Sequence, residues 1–514
     1  MDLHPTEVLI PVAWRALCGV VAFGCAGSSP VSTPKPTRPS VVFISIDTLR
    51  ADHLGTYGYS TRPTSPHLDG LAQEAVVFEQ HQSTAPWTTP SHLSMMSGLY
   101  PSHHGVMQPY FELVTGLEGG GKVDALEDSR TTLAELLAAE GYRTAAFTGG
   151  GAVDPSTGLG QGFTRYETDH YKLTDANLAD LDTWLGEADG PFFLFWHTFE
   201  VHAPYTDGRF LQVSHAPEAP AFDSMQKQLL ELDGLLRHQR PSEANMGKAH
   251  QWMAKMLGDH GMRTPEVTLA LYDGGIAAMD HRLGQLVDML KRRGIYDNCV
   301  LVVTSDHGDE FTDHHPYYYD AHGHSLYEEL IHTPLIVKLP HQSEGGRRVS
   351  QRVSSVDLLP TIAALVSVEA PPALDGRSLV PLLHGDATVA QVPVYSEALN
   401  DRREMKAVHD GDHKLIVTIP ADVVAREGRL FLPESPKVEL YRTAEDPREE
   451  TDLSGQHTTA ALLDAVRGHV AGGRRSSASA PMDAETVKQL EAMGYLEQPS
   501  ERPELRAPDA PAPQ

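Results

Sequence analysis

The chemistry that this sequence could support begins at Thr88, in the stretch Trp87-Thr88-Thr89-Pro90-Ser91. Pro90 suits the first position of a helix, because its fixed φ fits there and its missing N–H would have no helical partner. Thr89 is then the predicted N-cap. Thr88 lies just outside the cap, where free backbone N–H groups and the helix dipole favour an anion such as a phosphate or sulfate ester. A hydroxyl there becomes a nucleophile only when a metal ion or a base activates it. Alone, the stretch is typical of an ordinary helix start.

Two apolar runs supply candidate ligands for that metal ion. Asp47 follows the run 41–46, and Asp306 and His307 follow the run 299–304. Open α/β sheets gather their ligands at the carboxyl ends of strands, so we expect these side chains to meet, with the Thr88 hydroxyl as a fourth ligand. Oxygen ligands favour Mg²⁺, Mn²⁺ or Ca²⁺, and the imidazole moves the preference toward Mn²⁺ or Zn²⁺. We predict that the site binds one divalent cation. Mn²⁺ and Ca²⁺ are the preferred ions, and Mg²⁺ and Zn²⁺ are the alternatives.

The elements that must position these residues alternate between strand and helix. Continuous apolar, β-branched runs predict buried strands, and amphipathic runs predict helices between them: strands at 41–46, 144–147, 192–196, 299–304 and 335–338, and helices at 131–140, 267–291 and 356–365. This alternation predicts an α/β fold with a large, mostly parallel sheet sandwiched by helices over residues 40–394, and residues 206–262 form an insertion.

The pattern changes after residue 394. Short polar strands at 413–417 and 438–441 and a helix at 458–470 predict a small C-terminal α+β subdomain over residues 395–470. Residues 471–514 are rich in Pro, Ser and Ala and are predicted to be largely disordered.

Composition limits the partners. The 514-residue chain has a formal net charge of -28, which argues against nucleic acid as a partner, because a phosphate backbone needs a basic surface. Of the three cysteines, Cys18 and Cys25 lie in the first 25 residues and Cys299 lies in an apolar run, so we expect Cys299 to be a buried thiol without a disulfide partner.

The first 39 residues predict export. The apolar run 16–25 is too short to span a bilayer and has the length of the apolar part of a signal peptide. Gly24-Cys25 followed by a small-residue stretch resembles a bacterial lipoprotein cleavage site. We therefore expect a leader over residues 1–25, a lipid on Cys25 as the membrane contact, a disordered tether over 26–39, and a location in the bacterial cell envelope or periplasm.

Several ordered segments carry a resemblance to a known family. These segments are Ile46-Asp47-Thr48-Leu49-Arg50, Trp87 to Val106, Leu301 to Gly308, Ser325 to Glu329 with Pro334-Leu335-Ile336, Val356 to Thr361, Asp375 to Leu379, and Glu439-Leu440-Tyr441 with Asp446-Pro447. Through them the chain resembles the sulfatase family of the alkaline phosphatase superfamily from residue 40 to about 455, and this resemblance implies an alkaline phosphatase-like fold and an ester hydrolase.

The chain departs from sulfatases at the nucleophile. Sulfatases have a Cys or Ser at the position of Thr88, in a Cys-x-Pro-x-Arg context, and oxidise it to formylglycine. Here His92 takes the place of the Arg, and Thr48 takes the place of a second metal-binding Asp. A Thr cannot form that aldehyde, and its alcohol would instead form a covalent ester intermediate, as in the superfamily's phosphodiesterases and phosphotransferases with a Thr. Within the resemblance, Thr88, His202 and His322 are the implied catalytic residues.

Other residues are implied to bind substrate: Arg50, His92 and His324. Two of these assignments leave alternatives open. Arg50 either contacts the substrate or pairs with a neighbouring acid. His324 either rivals His322 or belongs with His314 and His315 to a solvated, His-rich loop.

Three functions follow from these patterns. The first is an exported, metal-dependent hydrolase of a small-molecule, glycan or lipid anionic ester, with phosphodiester, phosphonate or phosphate esters preferred over sulfate esters. The second is an envelope phosphotransferase, and the third is an inactive, lipid-anchored binding protein. Joint retention of Asp47, Thr88, Asp306 and His307 favours the enzyme.

Overall fold

A computed structural model describes residues 38–492, except 108–110, 114–120, 188, 212–218, 239–252, 254, 256–263, 316–320, 387, 401–402, 421–431, 433–435 and 474–476. The predictions for the leader and the tether up to residue 37, including Cys25, lie outside these residues, as do residues 493–514 of the predicted tail. No helix in the described part of the chain is long and apolar enough to cross a bilayer.

A large sheet forms the centre of the fold. Its strands are β1 (Ser40–Ile46), β2 (Val76–Gln82), β5 (Arg143–Phe147), β6 (Arg165–Glu167), β7 (Phe192–Thr198), β8 (Cys299–Thr304), β9 (His332–Lys338), β10 (Arg348–Val349) and β11 (Val353–Ser354). They lie in the order β10-β2-β9-β8-β1-β7-β5-β6, and β11 also pairs with β2. Among these described strands, only β9 runs antiparallel to its neighbours, β2 and β8. The α/β fold with a mostly parallel sheet is therefore confirmed.

Helices cover this sheet. They are α1 (Pro66–Gln73), α2 (Thr88–Ser97), α3 (Pro101–His104), α4 (Leu133–Ala139), α5 (Asp175–Gly186), α6 (Ala219–His238), α7 (Pro265–Arg292), α8 (Glu328–Ile331), α9 (Leu358–Leu365) and α10 (Val380–Leu383). Strands β7 and β8 are buried along their whole length, as is β1 after its first residue, as expected for strands covered on both faces. The predicted insertion at 206–262 contains α6, and much of the rest of it lies outside the described residues.

A second sheet forms the C-terminal subdomain. Its antiparallel strands are β12 (Val394–Asn400), β13 (Arg403–Asp410), β14 (His413–Pro420) and β15 (Lys437–Arg442), and α11 (Ala460–Ala471) packs on it through Val466 and Val470. Buried Lys406 forms ion pairs with Glu397 and Glu404, and the Glu397 carboxylate also accepts from Ser102 of the large domain. The predicted antiparallel subdomain is confirmed.

The predicted disorder of residues 471–514 is wrong for the described part of that tail. Ala478–Met482 forms β16, which pairs antiparallel with β4 (Gly121–Ala125) beside β3 (Phe111–Leu113), and Ala484–Ala492 forms α12. Met482 and Leu490 are buried in the main core. Composition misled here, because the partner strand supplies the hydrogen bonds that a Ser- and Ala-rich segment cannot provide by itself.

Candidate active site

Sheet topology brings the predicted ligands to one place. Strands β8, β1 and β7 are neighbours and run parallel, so that Ser45 pairs with Thr304 and Ile46 with Thr198. The three strands therefore end at the same edge of the sheet. Asp47 follows β1 directly, Asp306 and His307 follow β8, and α2 begins at the same edge with Thr88.

These four side chains converge around the Thr88 hydroxyl. Thr88 Oγ1 lies 3.3 Å from Asp47 Oδ2, to which it donates, and 3.3 Å from His307 Nε2. Ligand atoms of Asp47, Asp306 and His307 all lie within 4.8 Å of one another, and all four residues are fully buried. The arrangement is the one that strand ends and helix start predicted.

The acidic pair has the features of a cation site. Asp47 Oδ1 and Asp306 Oδ2 are buried and accept no hydrogen bond from the described residues. Burial and the neighbouring charge of Asp306 raise the pKa of Asp47 well above its ordinary value. Two buried carboxylates repel each other unless a cation compensates them, so the residues present fit a bound divalent ion.

His307 is held in the orientation of a metal ligand. Its Nδ1 lies 2.8 Å from the carbonyl oxygen of Gly308, which assigns the proton to Nδ1 and leaves the lone pair on Nε2. Burial lowers the pKa of His307 to about 4, so the imidazole is neutral near pH 7. Its Nε2 lies 3.4 Å from Asp306 Oδ2.

The start of α2 differs from the prediction. The helix begins at Thr88, and the N-cap is Trp87, whose backbone is extended. Thr89 does not cap the helix, because its hydroxyl donates to the carbonyl of Ala152 at 2.6 Å. Thr88 is consequently in the first helical turn, where backbone N–H groups have no helical acceptor.

His92 lies one helical turn after the candidate nucleophile, Thr88, and contacts its backbone. Its Nδ1 lies 2.8 Å from the carbonyl oxygen of Thr88, and its Nε2 lies 2.8 Å from Ser45 Oγ. Both ring nitrogens therefore contact the protein itself, which gives His92 a positioning role in place of the implied contact with substrate.

Arg50 takes the second of its two alternatives. Its guanidinium is buried and pairs with Asp52 at 2.8 Å and Asp313 at 2.9 Å. It also donates to the carbonyl of Asp309 at 3.0 Å. The implied contact of Arg50 with substrate has no support in this geometry.

His202 and His322, the two histidines implied to act on substrate, lie together beside the group formed by Asp47, Asp306 and His307. The ring of His322 lies 4.5 Å from that of His307 and 5.3 Å from that of His202, between ring centroids. His202 Nδ1 lies 2.6 Å from the carbonyl oxygen of Ala203.

The histidines of the loop, for which the sequence left a solvated loop open as an alternative, each lie against a carboxylate. His314 pairs with Glu329, His315 and His324 pair with Glu310, and His322 pairs with Asp309.

Sequence reasoning missed two supporting residues. Asp309 is buried, lies 3.2 Å from His322 Nδ1 and accepts a 2.6 Å hydrogen bond from Tyr205. His197, near the end of β7, has its Nε2 3.4 Å from Asp47 Oδ2. The signal for both was their position at strand ends of the same sheet edge as Asp47.

Comparisons with known proteins agree with this architecture. The sulfatase family model matches residues 39–368, and the model of the N-sulphoglucosamine sulphohydrolase C-terminal region matches residues 315–475. Steryl-sulfatase of Mus musculus is 26% identical over 456 residues, covering 75% of this chain and 70% of its own length. The multifunctional alkaline phosphatase superfamily protein PehA of Trinickia caryophylli is 26% identical over 415 residues, covering 68% and 77%.

Solved structures share the fold. A protein in complex with its substrate D-glucosamine-2-N,6-O-disulfate matches with a TM-score of 0.63 at 18% identity, covering 85% of this chain and 97% of its own. The phosphonate monoester hydrolase of Agrobacterium radiobacter matches with a TM-score of 0.59 at 20% identity, covering 85% and 95%.

Proposed function

The chain belongs to the sulfatase family of ester hydrolases, and we propose that it hydrolyses anionic esters through a covalent intermediate on Thr88. One observation carries the proposal: Thr88 Oγ1 lies 3.3 Å from both Asp47 and His307, at the edge where β1 and β8 end. A hydroxyl between a carboxylate and an imidazole, at a helix N-terminus, is placed to attack an anionic ester.

The same residues would hold the divalent cation that family members bind. Asp47, Asp306 and His307 supply two carboxylates and one imidazole, with Thr88 facing the substrate. When bound, the cation supplies charge neutralisation at the ester oxygens and a lower pKa for the Thr88 hydroxyl. We propose Mn²⁺ or Ca²⁺, with Mg²⁺ and Zn²⁺ as alternatives, because the ligands are mostly oxygens.

The reaction proceeds in two displacements. Thr88 Oγ forms a bond to phosphorus and the bond to the leaving alkoxide breaks, so that the chain carries a phosphothreonine ester and releases an alcohol. Water then attacks the same phosphorus, breaks its bond to Oγ and restores the threonine hydroxyl. His92 contributes by holding the carbonyl group of Thr88, and thereby the first turn of α2, in position.

We propose that His322 or His202 protonates the leaving oxygen. Asp309 lies 3.2 Å from His322 Nδ1, which orients the ring and directs Nε2 away from the carboxylate. His202 Nδ1 lies at hydrogen-bond distance from the carbonyl oxygen of Ala203, so Nε2 is the ring nitrogen through which His202 would transfer a proton to the substrate. We assign the general acid to His322, because the buried Asp309 carboxylate fixes the orientation of its ring.

The threonine favours phosphodiester, phosphonate or phosphate esters, since it cannot be oxidised to the aldehyde of sulfatases. The names of the relatives favour the other candidate, a sulfate ester, because steryl-sulfatase and an ulvan-active sulfatase of Formosa agariphila are among them. A glycan or a lipid ester remains the proposed natural substrate class.

Export to the cell envelope with a lipid on Cys25 also stays a proposal, tested by fractionating cells that express the Cys25→Ala variant.

The test compares variants of Thr88 on aryl phosphodiester, aryl phosphonate, aryl phosphate and aryl sulfate substrates. We expect the first three substrates to react faster than the sulfate. Thr88→Val has nearly the same shape but no hydroxyl and should lower kcat by at least about 10³-fold, whereas Thr88→Ser should retain turnover. Mass spectrometry of acid-quenched protein should find the phosphoryl group on Thr88. Full turnover by Thr88→Val would refute the nucleophile, and faster sulfate hydrolysis would refute the phosphoester preference.

A further inference from the structure

The loop that follows β8 contains a second cluster of ligating side chains. Glu310 is fully buried, and its backbone forms a bridge with Ala321, with Glu310 N donating to the Ala321 carbonyl at 2.9 Å. The bridge closes the base of the loop and brings His315 and His324 to the same carboxylate.

His315 Nδ1 lies near both oxygens of Glu310, 3.1 Å from Oε1 and 3.0 Å from Oε2, and each oxygen has further neighbours. Oε1 accepts from the backbone N–H groups of His314 at 3.1 Å and His315 at 2.6 Å, which fixes the carboxylate in place. Oε2 lies 3.0 Å from His315 Nδ1 and 2.5 Å from His324 Nε2. The two imidazole rings are 5.1 Å apart between centroids and inclined by 79°.

We propose that Glu310, His315 and His324 bind a transition-metal cation of the Zn²⁺ class, at a site separate from Asp47, Asp306 and His307 (the Asp47 cluster). Two imidazoles and one carboxylate form a three-ligand set that suits zinc and leaves a further position for water or another ligand. The side chain of His315 is 34% exposed, which provides access to the site. The donor set is richer in nitrogen than the Asp47 cluster, and the two sites therefore prefer different ions.

The cation would act as a clamp for the loop next to the Thr88 centre. Glu310 directly follows Asp309, and His324 lies two residues after His322, so the clamp joins the two ends of the segment that places the Asp309–His322 pair. Arg403 of β13 donates to the carbonyl of His324 at 2.6 Å and holds the same end from the C-terminal sheet.

Metal counting tests the proposal. Protein stripped with a chelator is re-equilibrated with limiting Zn²⁺ in excess Ca²⁺, which competes for the oxygen-rich Asp47 cluster, and both metals are counted by mass spectrometry. We expect the wild type to bind one more zinc per chain than His324→Ala and Glu310→Gln. His314→Ala is the matched control, because the ring of His314 pairs with Glu329 instead of Glu310, and it should bind zinc like the wild type.

Asp47→Asn separates this site from the Thr88 centre, because it should retain the extra zinc. A second readout is the visible spectrum of Co²⁺-loaded protein, in which His324→Ala should lose the bands of a nitrogen-ligated site and His314→Ala should keep them. Equal zinc content in wild type, His324→Ala and Glu310→Gln would overturn the proposal and leave two plain imidazole–carboxylate pairs. Neither readout depends on turnover, so the result stands apart from the proposed hydrolysis.

Discussion

Replacing Asp47 by asparagine should invert the order of stability between the cation-free and the cation-loaded protein. The ligand oxygens of Asp47 and Asp306 lie within 4.8 Å of each other, which corresponds to a repulsion of about 3.5 kcal/mol at an effective dielectric constant of about 20. Proton uptake limits the part of this energy that the native state retains. The Asp47→Asn substitution removes the repulsion, and we expect this variant to be about 1–3 kcal/mol more stable than the wild type in chelator.

The order should reverse when the cation is present. At a cation concentration about 1,000 times the Kd, the wild type gains about 4.1 kcal/mol, and D47N gains little because it has lost a ligand. Urea unfolding in chelator and in Mn²⁺ or Ca²⁺ measures both effects. Asp357→Asn is the control, since burial also raises the pKa of that carboxyl, to about 6, but it lies at the start of α9. The reasoning fails if D47N is less stable than the wild type in chelator, or gains as much as the wild type from the cation.

Three further results are expected. Asp309→Asn should lower kcat about 10- to 100-fold, with a larger loss for alkyl than for nitrophenyl leaving groups, and an equal loss for both would argue against His322 as the acid. Burial lowers the pKa of His103, but the hydrogen bond and charge of Asp375 raise it above 6.5 on balance. The stability that H103F loses, measured by urea unfolding, should therefore be largest below pH 6.5 and shrink as pH rises through the folded pKa; a loss that grows with pH would contradict this. Burial raises the pKa of the Cys299 thiol to about 11, so iodoacetamide should label it near pH 8 only after unfolding, and rapid labelling of the native protein would refute its burial.

The metal-ligand candidates could be found from sequence because the carboxyl ends of parallel strands lie at the same edge of a sheet. Asp47 and Asp306 each follow a continuous apolar run, and pairing of β1 with β8 places them together. Thr88 was found through its helix start, although the helix begins earlier than Pro90 suggested. The reason is local, since Thr89 donates to Ala152, a partner that the local sequence does not reveal.

What sequence could not provide depends on contacts between distant segments. Asp309 and Tyr205 belong to different loops, and nothing in either loop predicts their 2.6 Å hydrogen bond. The partners of the loop histidines were hidden for the same reason, because alternating His, Asp and Glu residues allow many pairings. The strand β16 was mistaken for disorder because its partner β4 lies far away in the chain.

Pairing of β16 with β4 also affects how the molecule is assembled. The third sheet joins a segment near residue 121 to one near residue 482, so β4 keeps an unpaired edge until nearly the whole chain has emerged from the ribosome. Unpaired edges are templates for aggregation. Biosynthesis therefore includes an interval in which this edge of β4 is open, and truncation before residue 478 would make that exposure permanent.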